Sequence, residues 1–178
     1  KIEQSSIVWI RQYVPNGIGA ATLLTEQVVG NKPFCFHAGD LYIPKTKYLK
    51  DMIKNHTKQN PTATIGVIER KNPKQYGVAT LKETSKNVFN VTNSVEKPKN
   101  PKSNFALTGV NIFENDIFDA IRKTKPSVLN EVQLTDSIQT LIKTNHNVIA
   151  SKMGPKDICL DIGTPKNYFS ALVQSYGK

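Results

Sequence analysis

Three apolar runs in this chain each stop on a charged residue, and that pattern constrains the fold more than any other feature. Pro33-Phe34-Cys35-Phe36-His37-Ala38 leads into Gly39-Asp40, Val88 to Val95 leads into Glu96-Lys97-Pro98, and Ile158-Cys159-Leu160 leads into Asp161-Ile162-Gly163. Runs of this length and composition read as strands. In an open α/β sheet the side chains at strand ends face the crevice where ligands bind. Asp40, Asp161 and Lys97 converging there would suit a Mg²⁺-dependent phosphate site, the acids holding a hard cation and the lysine neutralising phosphoryl oxygens.

The rest of the pattern alternates strands with helices. Ile7 to Ile10 reads as a strand, and Gly17 to Val28 as a helix with Ala20, Ala21, Leu24 and Val28 on its inner face. Pro33 to Ala38 has the continuous apolar character of a buried parallel strand. Thr46 is placed to cap a helix burying Leu49, Met52 and Ile53, and Thr62 to Ile68 is the next strand. Gly77 to Leu81, Val88 to Val95 and Phe105 to Phe113 follow with turns between them and no helix, which predicts antiparallel pairing. Ile117, Phe118 and Ile121 mark one helix after Asn115, and Leu134, Ile138, Leu141 and Ile142 another. Val148 to Ala150 and Ile158 to Leu160 are the last strands. Thr164-Pro165 opens a final helix expected to bury Tyr168, Phe169, Leu172 and Val173. The fold class is therefore α/β, with a mixed, mostly parallel central sheet flanked by helices.

Composition sets looser limits. At 178 residues the chain is expected to be one domain over 1–178. No apolar run approaches the ~20 residues that span a bilayer, so no membrane partner is expected, and a cytoplasmic protein with two buried, reduced thiols at Cys35 and Cys159 is. The net charge of +10 invites a nucleic-acid reading, but its lysines are dispersed and no aromatic-interleaved basic stripe appears. A substrate carrying several phosphates would profit from the same field. His37, His56 and His146 fit no metal-ligand spacing and read as structural or surface residues.

From Gln12 onward the chain resembles the sugar-1-phosphate nucleotidyltransferases, the NDP-sugar pyrophosphorylases, and most of all those that transfer from UTP or dTTP to glucose 1-phosphate. The matching stretches are Gln12 to Ala21, Ala38-Gly39-Asp40, Pro73 to Val78, Val95 to Pro98, Thr108-Gly109-Val110, Asn130 to Asp136 and Leu160 to Pro165. Each is short, but they stand in family order across most of the chain. The resemblance implies a Rossmann-like nucleotidyltransferase fold and a set of roles. Gln12 and Gly17 would lie against the base. Asp40 would bind Mg²⁺ between nucleotide phosphates, and Asp161 would complete the metal site. Tyr76 and Gly77 would border the sugar, Glu96 would accept from its hydroxyls, Lys97 would hold its 1-phosphate and Gly109 would back the pocket. For Glu131 two readings stand side by side, a sugar-site residue or the first-turn acid of the next helix. Asp40 and Asp161 have a plainer alternative as caps or turn formers.

The reaction so implied is attack by a sugar-phosphate oxygen on the α-phosphorus of a nucleoside triphosphate, releasing pyrophosphate and forming an NDP-sugar. The alternative is a non-catalytic relative that keeps the pocket for sensing or regulation. The family's glycine-rich loop ending Gly-Thr-Arg and its Pro-Lys motif are absent, so the chain reads as the C-terminal part of such a domain, lacking N-terminal βα units and inactive alone. Asn111 stands where relatives carry tyrosine, and Leu129-Asn130 where they carry a basic residue and glycine, so the sugar is left open. Homo-oligomers would be ordinary for the family.

Overall fold

The computed structural model describes residues 5–85 and 88–176. Its main sheet has six strands, β1 (Phe34–His37), β3 (Ala63–Glu69), β4 (Gly77–Ser85), β5 (Val88–Glu96), β6 (Phe105–Phe113) and β7 (Val148–Lys152), in the spatial order β1-β6-β3-β7-β5-β4. A separate ribbon pairs β2 (Leu41–Tyr42) with β8 (Leu160–Asp161). The sheet is mixed, as expected, but its parallel share is small. Among the described residues β3 and β7 form the parallel pair, and the other ladders are antiparallel. β4 and β5, joined without a crossover, form an antiparallel hairpin, and β6 enters between β1 and β3 antiparallel to both. β4 also reaches back to β6 through Val78 and Ala79, which curls that end of the sheet.

Helices cover both faces. On one side α4 (Asp116–Lys123) and α5 (Leu134–Lys143) close over Ile65, Val67, Phe113, Ile117, Phe118, Ile138 and Leu141. On the other, α3 (Lys47–Gln59) presses Tyr48 and Met52 onto Val110, Ile112 and Met153. Strand β3 lies between the layers, so its run is apolar at nearly every position rather than alternating. Gly66 sits at its bulge because a Cβ there would meet Thr108 Oγ1 at 2.4 Å and Tyr48 Oη at 2.8 Å. His56 is buried under α3, hydrogen-bonded to Thr64 Oγ1 at 2.8 Å and Glu114 Oε1 at 3.1 Å, a structural role.

Several sequence expectations are corrected. Ile7 to Ile10 forms no strand, and Trp9 is 92% exposed. Its β-branched residues favour extended backbone, but a strand exists only where another edge pairs with it. The stretch from Gly17 is two short helices, α1 (Ile18–Leu23) and α2 (Glu26–Val29), and the buried positions are Gly19 and Thr22 rather than Leu24 and Val28. Among the described residues β1 pairs with β6 alone and is covered on one face, so Phe34 and Phe36 pack inward while Cys35 is exposed. Only Cys159 is a buried thiol. Ile53 of α3 is exposed, its place in the inner stripe taken by Tyr48 and His56. The final helix, α6 (Pro165–Tyr176), leaves Tyr168, Phe169, Leu172 and Val173 in the open and buries only Ala171.

Candidate active site

Asp40 and Asp161 meet where the β2–β8 ribbon begins. Leu41 lies in register with Asp161, and the Ile162 N–H donates to Asp40 O at 2.7 Å, fixing the two turns side by side. Asp161 Oδ1 accepts from Gly163 N at 2.8 Å. A Cβ on Gly163 would stand 3.1 Å from Asp161 Oδ1 and 3.1 Å from Asp40 Oδ2, so an oxygen of each carboxylate comes to the same spot beside Gly163. Among the described residues no group of three or more His, Cys, Asp and Glu side chains gathers that could cage a metal by itself. The pair is an open, oxygen-only set.

The two acids line a cavity of about 180 Å³ together with Tyr76, Thr108, Gly109 and Arg70. Gly109 has φ +80°, and its O accepts from Ala38 N at 2.9 Å, which ties β6 to the Gly39-Asp40 turn. The Cys159 thiol beside the cavity is pushed up in pKa by burial, an effect the Arg70 charge opposes and the Asp161 charge adds to by a smaller amount. Arg70 was not singled out from the sequence. The signal that could have found it is the one that found Asp40, a charge directly after an apolar strand.

Glu96, Lys97 and Gly77 form a second cluster joined to the first through Tyr76. Gly77 pairs with Glu96 across the β4–β5 hairpin, and Lys97 N donates to Tyr76 O at 3.1 Å. Lys97 takes φ +41°, a left-handed turn that brings its Nζ within 3.8 Å of Glu96 Oε1. Glu96 is largely enclosed while the Lys97 side chain keeps 44% of its surface. A Cβ on Gly77 would collide with Thr135 Oγ1 at 2.5 Å and approach Glu96 Oε2 at 3.1 Å. Glycine there lets α5 close on the hairpin.

Gln12, Gly17 and Glu131 make a third cluster. Gly19 N donates to Val132 O and Val132 N to Asn16 O, both at 2.9 Å, so the Gln12–Gly19 segment is laced to the chain ahead of α5. Gly17, at φ +107°, would put a Cβ 2.9 Å from Glu131 Cβ and 2.6 Å from Val132 O. Gln12 Nε2 donates to Gly17 O at 3.1 Å. Glu131 precedes α5 by three residues and accepts from Gln133 Nε2 at 3.0 Å, so it is not a first-turn acid; Asp136 is. Asn111 is buried between Phe36 and Ile65, its Oδ1 without a hydrogen-bond partner. Among the described residues no helix is long and apolar enough to cross a membrane.

Comparison with known proteins bears on the family and the fold. The family model for nucleotidyl transferases matches residues 2–176. A protein of Methanocaldococcus jannaschii, provisionally named UTP–glucose-1-phosphate uridylyltransferase, is 32% identical over 95% of this chain and 59% of its own length. UTP–glucose-1-phosphate uridylyltransferase 2 of Streptococcus pyogenes serotype M3 is 34% identical over 76% of this chain and 48% of its own. The chain thus spans about half to three fifths of these relatives. A crystal structure of UDP-glucose pyrophosphorylase complexed with UDP-glucose superposes with a TM-score of 0.91 at 29% identity, covering 99% of this chain and 68% of that one. With a match along nearly its whole length and the same mixed sheet and helices, this chain belongs to the nucleotidyl transferase family.

Proposed function

We propose that this chain carries the metal and sugar-phosphate portion of an enzyme that moves a nucleotidyl group from UTP or dTTP to a sugar 1-phosphate, glucose 1-phosphate first among them, releasing pyrophosphate. The observation that carries this reading is the convergence of Asp40 and Asp161 on one point beside Gly163, in a cavity shared with Tyr76 and Gly109. Two carboxylates without nitrogen or sulfur donors suit Mg²⁺, which is held by one or two carboxylates and completes its shell with waters and substrate phosphates. When bound, the ion would draw charge from the reacting phosphates.

The chain's own residues do the rest. Both substrates are anions, so the barrier is set by repulsion and orientation. Lys97, partly exposed and held beside Glu96, would meet the sugar's 1-phosphate. Glu96, acceptor-only and largely enclosed, would take hydrogen bonds from sugar hydroxyls, with Tyr76 and Gly77 bordering the ring and Gly109 behind it. Gln12 and Gly17 would lie against the base, and Glu131 beside Gly17 would reach the sugar end. A sugar phosphate is ionised at neutral pH and needs no general base. A cytoplasmic location goes with this reading.

The test uses the full-length protein with UTP or dTTP, Mg²⁺ and glucose 1-phosphate, and follows pyrophosphate. Asp161→Asn is expected to lower turnover by about 10²–10³-fold, the usual scale for losing one electrostatic contributor. Lys97→Ala should weaken sugar-phosphate binding and leave free nucleotide binding unchanged. No pyrophosphate from the unaltered protein, or full turnover in Asp161→Asn, would sink this reading.

A further inference from the structure

Arg70 has no part in the reaction outlined above, yet it lines the same cavity. It follows β3 directly, its N–H donating to Asn104 O at 2.9 Å, and its side chain stands among Asp161, Tyr76 and Cys159. Its resting contacts are poor. Nη2 donates to Cys159 O at 3.4 Å, Nε is buried with no hydrogen-bond partner, and the guanidinium carbon lies 6.0 Å from the Tyr76 ring centre, at the outer reach of a cation–π contact.

Among the described residues no carboxylate forms an ion pair with Arg70, whereas Arg122 is held by both Glu26 and Asp119. A guanidinium offers five donors in a planar fork matched to two oxygens of one oxyanion. Leaving such a donor unmet in a buried place is a standing penalty that an incoming acceptor removes. The carbonyl and ring contacts are weak enough to be given up for a charge-assisted bond. Tyr76, over whose ring the guanidinium lies, is tied through its carbonyl to Lys97 N, so this one residue links Arg70 to the Glu96–Lys97 turn.

We propose that Arg70 is a binding residue for an anionic oxygen of the sugar phosphate, a second cation in addition to Lys97. This rests on the function proposed above. The same fork would accept the phosphoryl oxygens of a sugar 1-phosphate or the carboxylate of an acidic sugar, and the experiment separates the two.

The chain has three arginines, Arg11, Arg70 and Arg122, so the Nε–H signal of Arg70 in an ¹⁵N-labelled sample can be assigned by its loss in Arg70→Lys. Glucose 1-phosphate, inorganic phosphate, glucuronic acid and neutral glucose are titrated in turn. A saturable shift of the Arg70 signal with glucose 1-phosphate and none with glucose is expected. Arg70→Leu should raise the Kd for glucose 1-phosphate about tenfold or more, and Arg70→Lys by less. A response to inorganic phosphate alone assigns the phosphoryl group, and a response to glucuronic acid alone the carboxylate. A signal unmoved by all three anions, or unchanged glucose 1-phosphate affinity in a folded Arg70→Leu chain, overturns the proposal. If Arg70→Leu fails to fold, the signal shift and the Arg70→Lys affinity still decide. A full-length protein without turnover whose Arg70 signal still responds would refute the catalytic reading and leave this site standing.

Discussion

Helices α5 and α6 carry the same kind of sequence signal and meet different fates. α5 buries Leu134, Ile138 and Leu141 against β5 and β7, and its first turn wedges Thr135 against Gly77 beside the Glu96–Lys97 cluster. α6 repeats aromatic and aliphatic residues at helical spacing, yet it rests mainly on the two-residue strand β8 and leaves Phe169 67% exposed. Amphipathic spacing says which face of a helix will be covered when something covers it. It does not say what, because the partner surface is set elsewhere in the chain.

The sharpest way to break this comparison is to remove the same volume from each helix. Ile138→Ala should destabilise the chain by about 2–5 kcal/mol in urea unfolding, since Ile138 is fully buried and its truncation leaves a cavity in the core. A loss under about 1 kcal/mol would show that α5 is not the wedge described here. Gly77→Ala comes next, at about 1–3 kcal/mol, because the new methyl meets the buried Thr135 side chain at 2.5 Å. Restoration of stability in the Gly77→Ala, Thr135→Ser double variant would not be expected, since the hydroxyl that causes the closest clash remains; recovery in Gly77→Ala, Thr135→Ala would be.

Smaller effects belong to α6. Thr164 Oγ1 accepts from Asn167 N at 3.2 Å, capping the helix at its start. Thr164→Ala should cost about 1 kcal/mol, read as faster hydrogen exchange of the α6 amides with the α5 amides unaffected. Leu172→Ala is predicted to change global stability by no more than about 0.5 kcal/mol, because the side chain it removes is already exposed. A Leu172→Ala loss comparable to that of Ile138→Ala would abolish the distinction between the helices.

Most legible parts of the fold share one property. β3, β5, β6, α4, α5 and β7 were readable because each carries its own period and lies where several layers cover it, so local pattern and final burial agree. β4, at the end of the sheet, was readable because its run is followed closely by that of β5 with no helix between. The unreadable parts are other edges. Ile7 to Ile10 has strand propensity and no partner edge among the described residues, and β1 has the composition of an interior strand but a neighbour on one side only. The candidate site divides in the same way. Asp40, Glu96, Lys97 and Asp161 announce themselves as charges ending apolar runs. Arg70 also follows an apolar strand, but in sequence it is one of three consecutive charges, Glu69-Arg70-Lys71, and nothing in that run marks it out.

By itself the sequence determined the alternation of strands and helices, the antiparallel run of β4 to β6 and the charged residues that end the strands. These are local properties, written in spacing and in turn residues. Tertiary structure alone decided that Asp40 and Asp161, far apart in the chain, crowd one point beside Gly163, and that Glu131 binds Gln133 rather than opening a helix. It alone decided that Arg70 faces the cavity with its Nε unpaired. Such meetings depend on strand order and register across the whole sheet, and no window of the sequence contains both partners.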